Sequence, residues 1–250
     1  MGRFRRHTDA GAEPVALIDV DAELAEGLTD EQAAAAREGV RVKAEWVPPG
    51  PLSEARVRRD EPGTIVLLAR GLVARTTAFE DAVVAELVCR GGFIWPHTPR
   101  DQARLALRDY RIELAALETS LLASLGPEAL RALAGFPELG ARLLRRCERH
   151  VAELEALRVI GQVTGVERRL LAFFRLLAAR QGRDTSEGVA VPVAMPHRML
   201  ADLVGARRPT VSTALRQLAD AGELRRLHDG TWLLPGATVA DVSGRSPAIS

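Results

Sequence analysis

Five side chains near the C-terminal end of the chain, Arg208, Pro209, Ser212, Thr213 and Arg216, fall on one face of an implied helix. The opposite face carries Val211, Leu215 and Leu218 at i, i+4 and i+7, the spacing of a buried helical stripe. The outward residues suit the major groove of a DNA duplex. The Arg208 guanidinium can donate two bonds to guanine O6 and N7, while Ser212 and Thr213 are small enough to let a helix approach base edges. Arg207 and Thr210 lie at the start of this helix, where free backbone N–H groups favour a phosphate. Arg225 and Arg226 follow on a hairpin that can reach the flanking backbone. For an isolated helix such a face would be read as merely solvated, so the neighbouring elements decide.

Those elements form a consistent set. Val189 to Val193 reads as a short strand. A helix follows, with Pro196 early in it and Met199, Leu200 and Leu203 as its apolar side. Gly205 stands just past its end, where a left-handed residue is needed. The second helix starts at Arg208 or Pro209 and runs to about Ala221, where Gly222 stops it. Strands Leu224 to Leu227 and Thr231 to Leu234 flank Asp229-Gly230, which predicts a type I′ hairpin turn. Helix, tight turn, helix and hairpin make a winged helix-turn-helix.

Upstream, the pattern divides the chain further. Asp21 to Gly39 reads as helical, and Pro48-Pro49-Gly50-Pro51 breaks it. From Ala55 to about Ser120 come short strand-like runs, among them Thr64 to Leu68, Ala82 to Cys89 and Arg104 to Leu107. Their spacing predicts a small antiparallel roll, giving an α+β protein. From Pro137 to about Gly161, the residues Leu143, Cys147, His150, Leu154 and Leu157 follow the 4-3-4-3 rhythm of a coiled-coil seam. That predicts a dimerisation helix, the alternative being an amphipathic helix packed on its own domain. Thr164 to Glu167 has the form of a capping box and starts another helix, which runs to about Gln181. The expected domains are therefore a β-roll over 1–136, a dimer helix and hinge over 137–162, a winged helix over 163–236 and a flexible tail over 237–250.

Composition excludes several classes. The 250 residues carry 34 Lys+Arg against 33 Asp+Glu, which argues against a polybasic DNA coat. Yet residues 164–236 hold 11 arginines against 7 acidic side chains, so the near-zero total hides a basic module. All the cations but Lys43 are arginine, the better fork for phosphate and guanine, although coding bias produces the same excess. Cys89 and Cys147 cannot build a disulfide framework or a four-thiolate cluster, so no Fe–S cluster is expected. Cys147 and His150, three residues apart, are read as seam packing rather than a metal or redox site, and no metal is expected. The N-terminus has a basic start without an apolar segment behind it, and no stretch is long enough to span a membrane. The expected location is the cytoplasm, with no membrane partner. No nucleophile elbow, phosphate-binding loop, zinc motif or carboxylate pair appears, so no catalysis is expected.

The run from Leu200 through Gly205-Ala206-Arg207-Arg208-Pro209-Thr210-Val211-Ser212-Thr213 to Leu218, followed by Ala221-Gly222 and Asp229-Gly230, strongly resembles the DNA-binding domain of the Crp/Fnr superfamily of bacterial transcription regulators. The order of β-rich sensor domain, long helix, hinge and winged helix agrees with that family. The resemblance implies that Arg208, Pro209 and Thr213 sit where the recognition helix reads bases. Members that bind TGTGA-type half-sites have an acidic residue at Pro209 and an arginine at Thr213, so their operator is not carried over. Pro196 stands where relatives often place a threonine cap. The family fold implies a cyclic-nucleotide-binding-like β-roll, but binding the nucleotide requires a Gly-Glu pair and a later Arg. After Gly92 the chain reads Phe93-Ile94-Trp95-Pro96-His97-Thr98-Pro99-Arg100, with no such pair. Tight cyclic-AMP binding is therefore not expected, Arg100 and Arg104 are read as surface residues, and His97 is not expected to hold haem. The ligand, if there is one, is unknown. The expected partners are double-stranded DNA and a second copy of the chain, with RNA polymerase a further partner the family allows. The competing reading is a non-catalytic sensor or scaffold whose winged helix binds another protein.

Overall fold

A computed structural model describes residues 13–53, 63–95 and 111–244. The chain divides into two compact units, residues 1–82 with 86–152 and residues 83–85 with 153–250.

In the first unit, β1 (Val15–Ala16) leads into the short α1 (Leu17–Val20) and a 3-10 turn, Ala22–Ala25. A separate helix, α2 (Asp30–Gly39), follows. The single helix expected over 21–39 is thus two elements. Thr29 supplies the second start by a capping box: its hydroxyl accepts from Gln32 N at 3.2 Å, and the Gln32 side chain accepts from Thr29 N at 2.9 Å.

The predicted antiparallel roll is present. One sheet contains β1, β2 (Arg41–Val47), β9 (Ser120–Leu125), β4 (Ile65–Arg70) and β7 (Phe93–Ile94) in that order. The other contains β3 (Gly50–Leu52), β8 (Arg111–Ala116), β5 (Leu72–Phe79) and β6 (Ala82–Cys89). Two-residue alternation sends each strand's side chains to opposite faces. Val47, Val66, Leu68, Val73, Val88 and Leu122 fill the space between the sheets. Leu67, Leu121, Ala123 and Leu125 face outward onto a second core with Leu17 and Leu24. The expected strand at 104–107 and the candidates His97, Arg100 and Arg104 lie outside the described residues.

Two further helices follow, α3 (Pro127–Ala132) and the long α4 (Pro137–Gln162). The seam assignment on α4 needs correction at Leu143 and Cys147. Leu143 is 8% exposed and belongs to the outer core of the roll, with Leu139, and Cys147 packs against the same core. His150 is also buried, while Leu154 and Leu157 are half-buried. The 4-3 spacing suggests a subunit contact, but a helix lying on its own domain requires the same spacing. The large apolar residues that α4 exposes are Leu144 (61%), Val151 (54%) and Val159 (67%). At 100° per residue Leu144 and Val151, both in the first unit, lie on a side turned away from Leu139 and Leu143.

In the second unit, α5 (Val166–Gln181) begins at Gly165, which takes a φ of 91° and has no side chain to cap the helix. The expected Thr164–Glu167 capping box does not form. Helices α6 (His197–Val204) and α7 (Arg208–Asp220) pack on α5, and Phe174 meets Trp232 with ring centroids 4.8 Å apart. An antiparallel sheet, β10 (Arg183–Thr185), β11 (Gly188–Val191), β13 (Trp232–Pro235) and β12 (Arg225–Arg226), closes the domain. β10 has no sequence signal of its own, because its three residues are all exposed. The tail also differs from expectation. Thr238 caps a short α8 (Val239–Val242), and Asp184 accepts a bond from Val239 N at 2.8 Å, so residues 237–244 are part of the structure.

Candidate nucleic-acid interface

The site is built on the α6–α7 pair. Between the helices, Gly205 takes φ 61° and ψ 49°, the left-handed turn expected of it. Val211, Ala214, Leu215 and Leu218 are buried along α7, which fixes the rotation of the helix. Arg207, Arg208, Pro209, Thr210, Thr213 and Arg216 are consequently exposed together. Pro209 occupies the first turn, where its missing N–H costs nothing.

Ser212 departs from the expected stripe. It is half-buried, and its hydroxyl donates to Arg208 O at 3.1 Å while lying 2.9 Å from His197 Nδ1. It turns toward α6 because it lies beside the buried Val211 rather than on the open side. Thr213 stays exposed, with its hydroxyl bonded to Pro209 O at 3.3 Å.

The wing is present with a different turn. Leu227 N donates to Thr231 O at 2.8 Å, enclosing a three-residue loop, and Gly230 takes a φ of 85° while Asp229 does not turn left-handed. This is a three-residue loop with its left-handed residue last, not a type I′ turn. Asp229 accepts from Thr231 N at 2.9 Å and from the Thr231 hydroxyl at 2.6 Å, and these bonds hold its carboxyl below the usual carboxylate range. The two wing arginines are unequal. Arg225 is paired with Glu187, so part of its charge is already answered. Arg226 lies over the Trp232 ring, 5.8 Å from its centroid.

Two residues of this unit carry no sequence signal for the roles they play. Arg169 donates to Val163 O at 2.6 Å, to Gly205 O at 3.0 Å and to Val204 O at 3.3 Å. It thereby satisfies carbonyls left over at the end of α6. His197 is held below its ordinary pKa by burial first, then by Arg226 and Arg208, which favours the neutral ring. Neither residue lies in a sequence motif, and only the fold reveals their partners. On α4, burial pushes the Cys147 thiol up, which does not suit a reactive thiolate.

Two packed helices joined by a left-handed glycine, with a basic exposed helix face and a hairpin wing, define a winged helix-turn-helix domain of the DNA-binding class. Residues 168–234 match the Crp-like helix-turn-helix domain. The C-terminal domain is therefore a Crp-like one, as residues 200–218 indicate. The whole chain has the fold of the Crp/Fnr transcription regulators, and solved structures similar to it cover both units. A CooA mutant from Carboxydothermus hydrogenoformans is 16% identical, with a TM-score of 0.61 over 93% of this chain and 96% of that one. A cyclic nucleotide-binding domain containing protein from Listeria monocytogenes is 14% identical, with a TM-score of 0.62 over 87% and 97%. A CRP-family transcriptional regulator from Thermus thermophilus is 21% identical, with a TM-score of 0.55 over 81% and 96%. No protein of curated function matches the chain by sequence. Among the described residues, no helix is long and apolar enough to cross a membrane.

Proposed function

We propose that this protein is a sequence-specific transcription regulator that binds a palindromic operator as a homodimer, with RNA polymerase as a further partner. The observation that carries this reading is the exposed set Arg208, Pro209, Thr213 and Arg216 on a helix whose rotation is fixed by its buried stripe. In the dimer, two copies of α7 enter successive major grooves roughly 34 Å apart. The apolar side of α4 bearing Leu144 and Val151 meets its counterpart, in place of the Leu143 face.

Arg208 reads a base and Arg226 a phosphate. With duplexes selected from a random-sequence pool, Arg208→Ala is expected to cost about 1–3 kcal/mol on the preferred site and to relax the choice at one base pair per half-site. Arg226→Ala should instead weaken all sequences alike and reduce the salt slope by about one. A uniform loss from both variants would remove the base-reading role from Arg208.

The regulator works without cyclic nucleotide, haem or an Fe–S cluster, and without catalysis. The support is the chain's own sequence, which has no Gly-Glu pair between Gly92 and Arg100, where the nucleotide's ribose would need one, and only two cysteines. Saturating cyclic AMP is expected to leave the melting temperature unchanged. A rise of several degrees, with micromolar affinity, would reverse this reading.

A further inference from the structure

We propose that His197 grips the DNA backbone as an imidazolium, donating its Nε2–H to a phosphate, so that DNA binding takes up a proton. The inference rests on the DNA-binding reading above and adds to it a residue that positions the recognition helix.

The argument begins at Ser212. With its single hydroxyl proton directed to Arg208 O at 3.1 Å, its oxygen is left to accept from His197 Nδ1–H, 2.9 Å away, and this is the tautomer the proposal assigns. In the neutral ring that leaves Nε2 as a bare lone pair, which repels a phosphate oxygen. One added proton turns the same atom into a charge-assisted donor, while Nδ1 keeps its bond to α7. The ring therefore joins the first residue of α6 to the middle of the recognition helix, and its far side is the edge that would meet the backbone.

The surrounding charges act in the required direction. Arg208 from α7 and Arg226 from β12 both disfavour a proton on the ring, together with burial. On α6 itself, Arg198 acts on Asp202. On α5, Arg169 is committed to the carbonyls of Val163, Val204 and Gly205. In the wing, Asp229 is bound to Thr231 with His228 beside it. The described elements around His197 thus bring it two opposing cations, and a phosphate placed between the ring and Arg226 would answer both of those charges while Arg208 turns to a base. The ring is neutral in free protein and charged in the complex. The affinity this adds is present at low pH and is lost as pH rises through the ring's pKa in the complex.

The test uses the full chain and the tightest duplex from a random-sequence selection, titrated at about pH 6 and pH 8 at constant ionic strength. Wild-type affinity is expected to fall about tenfold between them. His197→Gln, whose amide can still bond Ser212, should lose that part of the slope while other pH effects remain. Ring NMR of His197 should show its titration moving to higher pH when the duplex is added, a shift that a purely structural histidine would not show. Equal wild-type affinity at both pH values, or an unchanged slope in His197→Gln, overturns the inference and leaves DNA binding standing. A wild-type protein that binds no selected duplex at either pH overturns both.

Discussion

Replacing Arg146 with leucine is expected to destabilise the N-terminal unit by about 3–5 kcal/mol, the loss typical of a buried ion pair stripped of one partner. Arg146 on α4 is bound to Asp21, whose side chain is fully buried, and to Glu23 at 3.2 Å. Glu23 is further paired with Arg90 at 3.0 Å. Asp21 also accepts from Glu23 N at 3.3 Å, capping the 3-10 turn. Deleting the guanidinium leaves a carboxylate under the helix with no cation and no route to water. Hydrogen exchange in peptides from β2 and β9 reads the effect unit by unit. The double variant Asp21→Leu/Arg146→Leu should recover most of the loss, because it removes both charges together. A loss below about 1 kcal/mol in the single variant would place the pair among exposed ones and sink the argument.

The second large effect concerns assembly. Leu144→Glu combined with Val151→Glu is expected to give a folded monomer, since both side chains are exposed in the single chain. Binding to a palindromic duplex should then weaken by about 10²–10⁴, because the second half-site no longer benefits from the effective concentration the first provides. Binding to an isolated half-site should not change. Sedimentation and duplex titration read the two outcomes separately. Leu143→Glu makes the contrast, since it places a charge in the outer core and should unfold the roll instead. If the double variant stays dimeric at the same concentration, α4 pairs through some other face or not at all.

These two variants mark where sequence reasoning reaches and where it stops. The recognition helix is legible because Val211, Leu215 and Leu218 repeat at helical spacing and a glycine stands at each end, both of them local signals. Strand β6 is legible at its observed bounds, Ala82–Cys89, because its β-branched run lies between turn residues. On α4 the same kind of signal misleads, because the spacing of Leu143 and Cys147 says that a face is buried without saying what buries it. Asp21 and Arg146 are 125 positions apart, and no pattern in the chain links them. The polarity of Ser212 points it outward on a helical projection. Its inward turn depends on His197, fifteen residues earlier on another helix. The Gly165 start of α5 likewise wins over Thr164, whose capping motif suits the local sequence but not the course of the backbone.

Arg169 gives the junction before α5 a mechanical role. One guanidinium is fastened at once to Val163, in the segment that leaves α4, and to Val204 and Gly205, in the bend between α6 and α7. A planar, permanently charged fork has little freedom to stretch or rotate between its anchors. One side chain thus ties the bend before α7 to the segment that leads into its domain, like a strut between the two.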